Sequence, residues 1–176
     1  MTESAERGSP AEGDARALSG RISSWRDFSD RVSAAMAMVA TDPVDITLSD
    51  PDFSHWPLGQ RGVMDAFQQW TLAAKGLSCR VLAGSFDAVP VQHPRWAAWR
   101  TTWAHRVHCW QAPPELVSAI RPMLVLHGRL GLRLSETRTG VGIWTRDPGV
   151  LLDWLSEFDV ISQRSSEAMP PTTLGL

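Results

Sequence analysis

The chain has no tyrosine, only one lysine, Lys75, and two cysteines, Cys79 and Cys109, in 176 residues. Two thiols cannot build a disulfide framework or a four-cysteine zinc site, and in a reducing compartment they serve as small buried apolar groups. The scarcity of lysine and tyrosine is read as genomic base-composition bias. No run approaches the roughly 18 apolar residues of a membrane span, and the N-terminal region lacks the apolar core of a signal peptide, so a cytoplasmic protein without a membrane span is expected. A phosphate-binding loop, a dinucleotide-binding glycine fingerprint and a Gly-x-Ser-x-Gly elbow are all absent. Nucleotide-driven chemistry and ordinary serine hydrolysis are thereby left without support.

What is present fits one globular domain, with 43% hydrophobic and 20% charged residues. The stretch 1–17 is polar and small and predicts a disordered tail, 18–162 a single domain, and 163–176 a C-terminal tail. The net charge is −2, unevenly spread: 91–146 holds eight arginines against Glu115 and Glu136, a net +6, and the remainder carries −8. A basic middle between acidic ends suits a phosphate-binding face, while the simpler expectation is that its arginines pair with carboxylates of the flanks.

Ile22, Trp25, Phe28, Val32, Ala35, Met36 and Val39 recur at spacings of three and four and predict a helix over 18–40. Alternation predicts a half-exposed strand over 44–48, then a loop carrying Asp50, Asp52 and His55. Those three could serve a metal or a proton transfer. The favoured reading is turn chemistry, with the aspartates capping the loop and Phe53 and Trp56 plugging the core. A helix over 63–74, a buried strand over 79–83 and a strand over 106–110 follow, then a hairpin of 122–126 and 130–134 about His127-Gly128-Arg129. A strand over 140–145 precedes a helix opened by Asp147-Pro148. The order predicts an α/β fold, a mixed sheet with helices packed on it, partly parallel and with antiparallel strands added at one side.

The densest segment, 93–110, follows the second strand and runs through the third, with four of the nine tryptophans and three of the five histidines. Trp96, Trp99 and Trp103 form one helical stripe, and Arg95, Arg100 and Arg106 flank it. The fold is expected to be built around this helix. His105, His108 and Cys109, with His93 and His127 nearby in type, match no zinc-site spacing, and neither cysteine has a local oxyanion hole or thiolate-stabilising helix start. No metal and no cofactor is expected.

The strand and helix order, with His127-Gly128-Arg129 in the strand pair and a last helix bearing Trp154 and Phe158, resembles a phospholipase D-like half domain. In that superfamily a His-x-Lys-x-x-x-x-Asp motif lies in the strand pair, and two copies assemble one phosphodiester-cleaving site with histidine as nucleophile. The resemblance puts His127 in the histidine slot, Arg129 in the lysine slot and Leu134 in the aspartate slot, a degenerate motif. The chain is also similar to an uncharacterised bacterial family sharing Asp-x-x-Phe-x-x-Trp-Pro-Leu (50–58), Pro-Arg-Trp-x-x-Trp-Arg (94–100) and a Thr-Thr-Leu-Gly-Leu end. These resemblances imply a non-catalytic relative. The expectation is binding of a phosphate-bearing ligand or nucleic acid through Arg95, Trp99, Arg100, Arg106 and Arg129, because guanidinium pairs with phosphate and tryptophan stacks on bases. The alternatives are a homodimeric phosphodiesterase using His127 and a protein-interaction module.

Overall fold

Ser24 decides where the first long helix starts. Its hydroxyl accepts from the Asp27 amide at 3.2 Å, while the Asp27 carboxylate accepts from the Ser23 amide at 2.9 Å. In the computed structural model, which describes residues 17–73 and 75–169, the helix α1 is therefore Trp25–Thr41. The residues before it form strand β1, Ser19–Ile22, rather than the expected helical turns. Expectations for the two tails fall outside the described residues, apart from Ala17 and 163–169.

The second strand, β2 (Ile46–Asp50), is displaced from the expected 44–48 and is buried along its whole length. It is central, with β3 (Cys79–Ala83) parallel on one side and β5 (Met123–Leu126) antiparallel on the other. Alternation in the sequence reads as a half-exposed strand, but here Thr47 and Ser49 are buried too, Thr47 bonded to His127 and Ser49 to the Arg121 carbonyl. Strand β4 (Val107–Gln111) continues the parallel set, and β6 (Leu130–Glu136) and β7 (Val141–Thr145) the antiparallel one. β1 closes the antiparallel side against β7, and a short β8 (Ser166–Glu167) edges β4. The order is β1-β7-β6-β5-β2-β3-β4-β8.

One face carries α1, α2 (Arg61–Ala73), the short α3 (Val89–Gln92) and α4 (Pro94–Thr102) over the larger core. Trp70 and Trp96 are the bulkiest fully buried side chains there. Both cysteines point into this core as free thiols. The opposite face carries α5 (Pro148–Ser162) and a 3-10 turn, Pro114–Ala119, over Leu82, Met123 and Val125. Helix α5 comes close because β6 offers Gly131: a Cβ there would stand 2.5 Å from Leu151 and 2.7 Å from the Trp154 ring. No described helix is long and apolar enough to cross a membrane.

Candidate functional site

Strand register sets one row of side chains across the α5 side of the sheet. Arg21 of β1 stands opposite Ile143 of β7, which stands opposite Arg133 of β6, then Met123, Ser49, Leu82 and Trp110. Helix α5 covers the inner members of this row and stops at β6. Ile143 is consequently 47% exposed and Arg21 is exposed. Arg21 and Arg133, two strands apart, have Cα atoms about 10 Å from each other, so two cations share one face of the sheet, the first exposed and the second half-buried at the edge of α5.

At the border between helix and open sheet lies a groove of about 310 Å³ lined by Arg121, Arg133, Ser135, Ile143 and Trp154. Arg121 and Arg133 also line the narrower crevice beside it, with Ser49 and Glu157. Local chemistry holds each arginine in place. The Arg121 guanidinium donates to the Ser118 carbonyl at 2.7 Å, and its own carbonyl accepts from Ser49 Oγ at 2.8 Å. Arg133 lies over the Trp154 ring, 5.6 Å from its centroid, and its Nη2 is 2.5 Å from Glu157 Oε2. Planar guanidinium held against an indole keeps its edge donors aimed sideways, the arrangement that suits phosphate oxygens.

The residues selected from sequence are placed differently. Arg95 is exposed, on a shallow groove of about 460 Å³ between α2 and α4 that half-buried Trp103, Asp65 and Gln68 also line. Trp99 also borders that groove but packs against Phe67 and is only 7% exposed. Arg100, 2% exposed, donates to the Met169 carbonyl and lies beside Cys109. Arg106 donates to the carbonyls of Leu77 at 3.1 Å and Thr71 at 2.6 Å while stacking on Trp70. Arg129 pairs with Asp42 at 2.8 Å. Of the five, Trp99 and Arg100 are turned into the core, and Arg106, stacked on Trp70, ties two carbonyls together. Arg129 and Arg133 take partners from the acidic flanks, Asp42 and Glu157.

His127 sits in the β5–β6 turn, where Gly128 supplies a φ of 69°. Its Nε2 is 2.8 Å from Thr47 Oγ1. Burial lowers its pKa, reinforced by the Arg80 cation and opposed by Asp45 and Asp159, which favours the neutral ring. Leu134, in the slot for aspartate, is fully buried in the core on the α1 side, and Arg129 is engaged by Asp42. The motif positions therefore supply His127 with no carboxylate. A pH dependence follows from the lowered pKa. As pH falls through the ordinary value of 6.5, the unfolded chain takes up the proton first, so His127 contributes stability that is present above that value and lost below it. His127→Gln is expected to flatten the fall in urea midpoint between neutral and mildly acidic pH. An unchanged profile would contradict this.

Asp50 accepts from the amides of Asp52 and Phe53 and from Trp56 Nε1, at 2.9, 2.8 and 2.8 Å. It is spent on the turn, and burial raises its pKa. Phe53 and Trp56 fill the core, while His55 is exposed against Trp25. His108 and Cys109 face opposite sides of β4, and no cluster of three metal-ligating residues exists among the described residues. Burial pushes the Cys109 thiol up to about 11 despite the opposing pull of Arg100, and pushes Cys79 up as well. Neither thiol is a nucleophile at neutral pH.

No family model matches the chain, and no curated protein matches it. Solved structures do. TrmBL2, an archaeal chromatin protein whose structure shows a novel mode of DNA binding, is similar with a TM-score of 0.59 and 12% identity over 93% of this chain. This chain spans 56% of the length of that protein. Nuc from Salmonella typhimurium, a phospholipase D family member, gives 0.55 and 9% over 78% of this chain and 88% of its own. NucT from Helicobacter pylori gives 0.53 and 9% over 85% and 98%. At such identities the likeness is one of fold. The α/β architecture with its mixed eight-stranded sheet is similar in fold to structures that include a phospholipase D family member.

Proposed function

We propose that the protein binds nucleic acid, without catalysis, through the open end of its sheet and the groove beside α5. The observation that carries this reading is the register that places exposed Arg21 and half-buried Arg133 on one face of the sheet, with Arg121 in the adjoining groove. Three guanidinium groups on a surface with an apolar patch at Ile143 fit a sugar-phosphate backbone, which needs spaced cations more than a deep pocket. A fold neighbour whose structure concerns DNA binding lends support. The absence of catalysis is supported by His127, which is half-buried, with Nε2 on Thr47 and Leu134 in place of a polar partner.

Titration of a fluorescently labelled mixed-sequence oligonucleotide, read by anisotropy at several salt concentrations, tests the reading. Three phosphate contacts predict a slope of log affinity against log salt of about −2 to −3. No anisotropy change at low salt would refute it.

A further inference from the structure

Helix α5 holds two sheet arginines in the same manner. Arg133 is stacked on Trp154 and bound by Glu157, and Arg80 is stacked on Phe158 and bound by Asp159 at 2.6 Å. The two pairs differ in place. Arg133 and Glu157 line the crevice that continues the proposed groove, whereas Arg80 and Asp159 line neither cavity. They differ also in exposure, since the Glu157 side chain is 58% exposed and Asp159 is 45%.

We propose that Glu157 is an internal stand-in for phosphate: its carboxylate holds the Arg133 fork in the groove and must be displaced before a nucleic-acid phosphate can take the same N–H donors. The inference rests on the reading of the groove as a nucleic-acid site. Its chemistry is direct. A carboxylate and a phosphate present similar oxygen geometry to guanidinium, so the two compete for the one cation. Trp154 keeps the Arg133 plane fixed while this exchange takes place, because the ring is buried and packed against Gly131. Glu157, whose side chain is 58% exposed, needs only a rotation into water to leave, as a partly exposed pair gains little from its own attraction. Occupying the arginine in the free protein also makes the site selective for polyanions: a single weak anion does not repay the exchange, whereas a polymer holding Arg21 and Arg121 at the same time does.

The test compares three variants that each remove one negative charge from α5. Glu157→Gln takes away the competitor, Asp159→Asn opens the pair outside the groove, and Asp153→Asn removes an exposed carboxylate that binds no described arginine. Anisotropy with the labelled oligonucleotide is expected to show about fivefold tighter binding for Glu157→Gln and less than about twofold change for the other two. Circular dichroism establishes that all three are folded. Equal tightening in the three variants would reduce the effect to net charge and overturn the proposal while leaving the groove as a binding site. Failure of both the wild type and Glu157→Gln to bind would remove the site itself, and the proposal with it. Binding that emerges only in Glu157→Gln would overturn nucleic-acid binding as the native protein's function, and with it the proposal that the polymer displaces Glu157.

Discussion

Trp70→Ala is expected to lower folding stability by about 4 kcal/mol, near the limit that a domain of this size withstands. The ring is fully buried on α2, and its Nε1 donates to the Val44 carbonyl at 2.9 Å just before β2. Arg106 lies on the ring, 4.8 Å from its centroid, and reaches past it to the carbonyls of Thr71 and Leu77. One indole thus joins the end of α2, the entry to β2 and the entry to β4. Its removal leaves a cavity, an unpaired carbonyl and a guanidinium without its platform, so the transfer and cavity costs add to a lost hydrogen bond. Urea unfolding followed by far-ultraviolet circular dichroism measures the change. A loss below about 1 kcal/mol would show that the core reorganises around the gap and that Arg106 is not a structural tie.

The fold was legible in the sequence where spacing and punctuation agreed. The parallel strands separated by helices, the hairpin at His127-Gly128-Arg129 and the Asp147-Pro148 helix start all stand as read. The first strand did not show, because Ile22, Trp25 and Phe28 continue a spacing of three across Ser23-Ser24 and imitate one helix. The available sign was Ser24-x-x-Asp27, a cap that only makes sense if the helix starts there. The tryptophan helix was legible as a packing element, but Arg100, expected to flank the stripe as a ligand anchor, lies four residues after Trp96 on the same face and is buried with it. Within that segment Trp96, Trp99 and Arg100 build the interior, whereas Arg95 remains exposed.

The candidate groove was hidden for a different reason. Arg21, Arg121 and Arg133 lie on β1, before β5 and on β6, and sheet register brings the first and last into one row. Periodicity could assign Arg133 to the face opposite Leu132 and Leu134, but it could not say that α5 ends at β6 and leaves β7 and β1 open. That boundary is a property of tertiary packing, set by Gly131 beneath Trp154.

Combined replacement Arg21→Ala, Arg121→Ala and Arg133→Ala is expected to weaken oligonucleotide binding on the order of 100-fold at low salt. Each guanidinium removed takes one phosphate contact and the counterion release that accompanies it, so the salt slope should shrink by about one unit per residue. The effect should exceed any stability change, since Arg21 is exposed and Arg133 gives up a partly exposed ion pair with Glu157. The comparison that isolates location from charge is Arg61→Ala, Arg95→Ala and Arg129→Ala, three exposed arginines placed elsewhere. Measuring the salt slope of the two triple variants side by side is the most direct test of the account. A slope near zero in the first and nearly unchanged in the second is the predicted result, and a second variant that loses as much as the first, or more, would contradict it.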